Sequence, residues 1–146
     1  LEQKSLNITK KQEIVMPNKF QEYFYFVFRV LVGLLFLQHG GQKLFGWFGG
    51  LGGNTAELVS LMGLAGIIEL IGGLAIVLGL FTRLTALIAA VEMIVALFMA
   101  HFPKSIFPIL NGGESAALFF ASFLVLLAYG AGKWSLGRIL FKKEVL

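Results

Sequence analysis

Arg29, Glu69 and Glu92 are each the single charge within an otherwise apolar run of at least sixteen residues. A charge at the middle of a bilayer costs about 2.5 to 3.5 kcal/mol even on the lenient insertion scale, so each is expected to face a protein interior and find a partner. One guanidinium with two carboxyls gives such a pairing. It also leaves one negative charge in surplus, which makes one carboxyl a candidate proton carrier. Purely structural use is the competing reading, because buried ion pairs often serve only to fix helix register. Counted from the presumed cytoplasmic ends of their runs, Arg29 lies six residues deep, Glu69 about eleven and Glu92 about eight. At 1.5 Å per residue these are depths of roughly 9, 16 and 12 Å, and the expectation is a buried cluster of Arg29, Glu69 and Glu92.

A second polar group gathers toward the opposite side: Gln38, His39, Gln42, Lys43, His101, Lys104, Asn111 and Glu114. His39 and Lys43 are four apart and share a helix face, and His101 closes the third run. The chemistry that suits His39, Lys43 and His101 is hydrogen bonding to a polar head group such as a quinone carbonyl. The neighbouring stretch Phe45-Gly46-Trp47-Phe48 can supply ring surface. Two histidines and a carboxylate are also metal-ligand types, but His101 equally suits a wet interface and Glu114 a helix start after Asn111. No metal is assigned.

The elements that must hold these residues are membrane spans. Apolar residues are 58% of the 146 positions and charged residues 14%, against about 45 to 50% and about 25% in a soluble domain. Four runs approach the ~20 residues needed to cross a bilayer: about 23–38, 58–80, 84–100 and 115–131. The first is long for a signal peptide, and no small-residue cleavage pattern follows it. Asn54-Thr55-Ala56-Glu57 has the form of a capping box for the second run, and Asn111 to Glu114 repeats the N-cap pattern before the fourth.

The first run carries Arg29, Gly33, Phe36, Gly40 and Lys43 along one helical stripe. The pairs Ala86 with Ala90 and Ala117 with Ala121 offer close approach between helices. Outside the runs, lysines and arginines divide nine against two: Lys43 and Lys104 stand alone on one side, which places both termini in the cytoplasm. The expected fold is therefore an all-α membrane protein, a four-transmembrane-helix bundle with both termini cytoplasmic. Residues 1–19 form a polar arm, 20–137 the transmembrane domain and 138–146 a basic tail. Met16 lies just before the first run, and positions 1–15 read as an extension.

Several classes are set aside by composition. There is no cysteine for thiol chemistry, the net charge of +4 is scattered beside apolar runs rather than gathered for nucleic acid, and no nucleotide-binding glycine motif sits between strand and helix. No nucleophile lies beside a base. Whether the chain is an enzyme stays open at this point, with a non-catalytic subunit of a membrane oxidoreductase complex as one reading.

The stretch Gly33-Leu34-Leu35-Phe36-Leu37-Gln38-His39-Gly40-Gly41-Gln42-Lys43-Leu44-Phe45-Gly46 resembles the DoxX family of small four-helix membrane proteins. The resemblance continues through Glu69 with Gly72-Gly73, Gly79 to Leu84, Ala100-His101-Phe102, Asn111 to Glu114, and Gly130 to Leu136, covering about residues 20–137. The family commonly has an acidic residue where this chain has Gly137. The resemblance implies a multi-pass protein of a bacterial-type plasma membrane, tied to quinone-linked respiratory, sulfur or oxidative-stress redox chemistry as a subunit beside a soluble or membrane redox partner. Two alternatives stand beside it. One is a small proton-coupled transporter or channel, for which four helices leave little room without a homo-oligomer. The other is a scaffold that docks a soluble redox protein through Lys142 and Lys143.

Overall fold

The computed structural model describes residues 18–142. The expected polar arm falls on residues 1–17 except for its last two positions, and Lys143 belongs to the basic tail; these positions lie outside the described residues.

The helices are α1 (Asn18–Phe45), α2 (Leu61–Leu78), α3 (Thr82–Ala96), the short α4 (Pro108–Asn111), α5 (Glu114–Tyr129) and α6 (Leu136–Phe141). A π-helical turn, Leu97–His101, prolongs α3. Among the described residues, three helical segments are long and apolar enough to cross a membrane: α1, α2 and Thr82–His101. The fourth apolar helix, α5, has 16 residues, about 24 Å of rise against the ~30 Å of hydrocarbon.

Helix α1 outruns the expected 23–38 at both ends because nothing in Gln38-His39-Gly40-Gly41-Gln42-Lys43 stops it. Gly40 and Gly41 are held by packing: a Cβ at Gly40 would run into the Leu70 backbone, and one at Gly41 into the Trp47 ring. The α1–α2 contact is made by glycines seven apart on each helix. Gly33 lies against Gly73 and Val77, and Gly40 against Gly66 and Leu70. Such small residues bring two antiparallel backbones close where lipid offers no competing hydrophobic drive. The buried face of α1 includes Arg29, Gly33, Phe36 and Gly40, the stripe marked by their spacing.

The start of α2 differs from the expected capping box at Asn54 to Glu57. Ser60 is the N-cap: its Oγ accepts from the Gly63 amide at 3.0 Å and donates to the Glu57 carbonyl at 2.6 Å. Asn54 instead closes the glycine loop, its carbonyl accepting from Leu51 N at 2.8 Å. Ser60, six residues further on and directly before the apolar stretch of α2, takes the cap.

Alanines 86, 89 and 90 of α3 are buried together with Ala116, Phe123 and Leu126 of α5. Ala121 is exposed, so the Ala117 and Ala121 pair does not form the α5 interface; aromatic residues fill it. Phe36 of α1 reaches this layer, with its ring 4.7 Å from that of Phe123 and 5.5 Å from Phe119. Arg83 donates to the carbonyls of Leu127 and Ala128 at 2.8 and 3.1 Å, placing a cation at the C-terminal end of α5 where the helix dipole favours it.

Candidate functional site

The antiparallel register set by the glycines decides which charges meet. Because Gly33 opposes Gly73 and Gly40 opposes Gly66, Glu69 lies beside the stretch of α1 around residues 37–43. Lys43 reaches back to it: Lys43 Nζ and Glu69 Oε2 form an ion pair at 2.5 Å, with the two side chains 15% and 5% exposed. Glu92 of α3 is within electrostatic range of both Glu69 and Lys43, and its Oε2 is buried without a hydrogen-bond partner.

Arg29 is not in this group, which corrects the expected cluster with Glu69 and Glu92. It lies four helical turns from Lys43, about 21 Å along the axis, and packs against Gly79 and Ser135. It is 1% exposed; Nη2 donates to the Trp134 carbonyl at 2.7 Å, while Nε and Nη1 have no partner. The Phe26 ring lies 5.5 Å from the guanidinium carbon. Gly137 makes a backbone contact here: its amide donates to the Gly79 carbonyl at 3.3 Å.

Beside the Lys43–Glu69 pair is a cavity of about 220 Å³. Its polar lining comes from His39, Lys43, Glu69, His101 and Ser115, and its apolar wall from Met93, Ala96, Ala116 and Phe119. His39 also borders a smaller crevice of about 110 Å³ with Leu35, Gln38, Gln42 and Phe48, so the imidazole stands between the cavity and the glycine loop. Its ring meets Phe119 edge-on at 5.5 Å. The π-helical turn at the end of α3 adds one residue per turn and re-aims His101 toward α4, and such turns occur often at functional sites. There His101 Nδ1 is 3.2 Å from the Asn111 carbonyl oxygen.

The structure thus joins His39, Lys43 and His101 with Glu69, two groups that sequence alone holds apart. Asn111 supports the site without lining it. Its amide donates to the Ser105 carbonyl at 2.6 Å and its Oδ1 accepts from Gly113 N at 2.7 Å, fixing the turn whose carbonyl meets His101. Glu114 is exposed in the first turn of α5, where its charge suits the helix dipole, and it is not part of the lining. Ser115 and Phe119 were not singled out by sequence. Their signal was weak, since both sit in an unbroken apolar run, and only the four-residue spacing shared by Ser115 and Phe119 hinted at one face.

The DoxX family model matches residues 24–102. The chain belongs to the DoxX family. Arg29, His39, Lys43, Glu69, Glu92 and His101 all lie inside the matched stretch, and Asn111 and Glu114 beyond it. An uncharacterized protein of Haemophilus influenzae is 39% identical over 129 residues, covering 86% of this chain and 96% of its own. The inner membrane protein YqjF of Escherichia coli is 31% identical over 130 residues, covering 80% of this chain and 92% of its own. No solved structure matches. With its three apolar helices long enough to cross a bilayer, this DoxX protein is a multi-pass protein of the bacterial-type inner membrane.

Proposed function

We propose that this DoxX protein is a quinone-associated subunit of a membrane redox complex, and that the cavity beside Lys43 and Glu69 holds the quinone head group. The observation that carries the proposal is the cavity itself: an ion pair and two histidines face an apolar wall within a mostly lipid-facing protein. Its volume is below the ~300 Å³ at which whole-ligand pockets begin. That size suits one ring, with the isoprenoid tail leaving between helices into lipid. Lys43 offers donors to a carbonyl, Phe119 and Met93 offer ring and thioether contact, and His39 connects the site to the crevice under the glycine loop.

In this reading α5 completes a bundle of four spans, with local thinning of the bilayer making up its shortfall in length. The lysine and arginine asymmetry puts both termini in the cytoplasm, with the cavity near the outer face. The polar arm and basic tail then lie on the cytoplasmic side, where a soluble or membrane redox partner of respiratory, sulfur or oxidative-stress chemistry would dock. Purification in a native-lipid polymer and extraction of bound lipids tests the proposal. About one quinone per chain, lost in Lys43→Met, is the expected result; a quinone content equal to that of bulk membrane would overturn it.

One observation favours a second reading, a small proton-coupled transporter. Two carboxyls, Glu69 and Glu92, share the single ammonium of Lys43, and Glu92 Oε2 is buried with no partner. Proton flux into proteoliposomes that disappears in Glu92→Gln would support it, and flux no greater than in empty liposomes would remove it.

A further inference from the structure

The hydrogen-bond inventory of the cavity distinguishes between two forms of a ring ligand. A carbonyl oxygen can only accept, so the 3.2 Å contact from His101 Nδ1 to the Asn111 carbonyl makes Nδ1 the donor nitrogen of that ring. In the neutral imidazole this makes Nε2 an acceptor, the ring nitrogen that the Asn111 contact leaves uncommitted on a residue that lines the cavity. Glu69 spends Oε2 on Lys43, which leaves Oε1 as a second acceptor beside the same space. Lys43 keeps two N–H donors after that bond. The cavity therefore presents at least two acceptors together with the ammonium donors.

A quinone carbonyl can only accept, so it meets the Lys43 donors but offers no hydrogen to His101 Nε2 or Glu69 Oε1. A phenolic hydroxyl does both: it donates to one acceptor and receives from Lys43. We infer that the site is built for the dihydroxylated, reduced form of its ring ligand, and that His101, held by the Asn111 carbonyl, is the residue that selects it. The inference rests on the proposal that a quinone ring occupies the cavity. It sharpens that proposal by naming the hydroquinone as the resting ligand. One additional hydrogen bond is worth roughly a factor of ten in affinity. Tenfold tighter binding of the reduced form raises the midpoint potential of the bound two-electron couple by about 30 mV, so the protein would retain product quinol and release quinone.

The test uses the full chain in lipid nanodiscs. A short-tailed benzoquinone, and the same compound reduced to its hydroquinone under argon, are each titrated and their dissociation constants compared. The expected result is hydroquinone binding about tenfold tighter, with the ratio falling toward one in His101→Phe. Equal affinities, or tighter binding of the quinone, would overturn the inference while leaving a quinone site in place. Binding of neither compound would overturn both the inference and the proposal beneath it. A ratio unchanged in His101→Phe would remove His101 as the selecting residue. Should His101→Phe fail to fold, the wild-type ratio still decides whether the reduced form is preferred.

Discussion

Helix α1 turns two cations inward, Arg29 near its middle and Lys43 at its C-terminal end, and the two are treated in opposite ways. Arg29 is sealed: it is fully packed, bonded to one backbone carbonyl, stacked near Phe26, and has no carboxylate beside it among the described residues. Lys43 is open: it is partly exposed, paired with Glu69, and borders a cavity with two histidines. Burying a guanidinium at the loop that follows α2 ties three chain segments together, since Trp134 and Ser135 come from the connection before α6 and Gly79 from the end of α2. A flexible ammonium beside a carboxylate and free volume instead leaves polar groups available to something that is not protein. The contrast separates a clamp from a site, although the residue types alone look equivalent.

The largest expected effect removes the frame on which both cations depend. Gly40→Leu drives a side chain into the Leu70 backbone. Because backbone cannot yield as a flexible side chain can, destabilisation should exceed about 3 kcal/mol, seen as loss of the protease-resistant chain or a large drop in the SDS-unfolding midpoint. A near-native midpoint would show that the glycine contact does not set the register.

Next comes the clamp. Arg29→Ala empties a packed volume and should cost about 2 to 4 kcal/mol, whereas Arg29→Met refills it without a charge and should recover most of the loss, as buried ions replaced by apolar groups often do. Both variants should keep ligand binding at the Lys43 end. If Arg29→Met abolished that binding, the separation of clamp from site would fail.

Breaking the Lys43–Glu69 pair should have a smaller effect on stability and a larger one on binding. Glu69→Gln or Lys43→Met alone leaves one buried group without its partner, at about 1 to 3 kcal/mol. The double variant should cost less than the two together, a coupling that unfolding midpoints of all four proteins would reveal. Strict additivity would mean the contact contributes nothing. Smallest is Ser60→Ala, expected to cost about 1 kcal/mol through loss of the α2 cap, with no change at Arg29 or Lys43; an unchanged melting temperature would move the cap elsewhere.

How much of this was legible in the sequence follows from what spacing can and cannot encode. The helical class and the buried stripe of Arg29, Gly33, Phe36 and Gly40 are legible because a 3.6-residue period maps directly onto a helix face. The partner of Glu69 is not. Depths counted from the run ends put Arg29 within about 7 Å of Glu69, but the glycine register carries Arg29 past Glu69 to the end of α2 beside Gly79, and the expected first span stopped at Gln38. The helix instead continues through Gly40 and Gly41 to Phe45, so Lys43 is helical and within reach. Relative register between antiparallel helices depends on which glycines meet, and many glycines in α1 and α2 were available to do so. His101 was visible as a polar residue at a helix end, but the π-helical turn that aims it and the Asn111 carbonyl that orients it are backbone facts with no residue signature. Glu114 looked equivalent to its neighbours because composition cannot tell a solvated first-turn acid from a lining one.

The separation of clamp from site is tested most directly by locating a bound ring. A photoreactive azidoquinone, cross-linked to the protein in nanodiscs and mapped by peptide mass spectrometry, should label α1 around His39 to Lys43 and the 93–101 segment, with labelling displaced by unmodified quinol and absent around Arg29 and Trp134. Label concentrated at Arg29 and Trp134, or label that excess quinol does not displace, would contradict the assignment of the open end as the binding site.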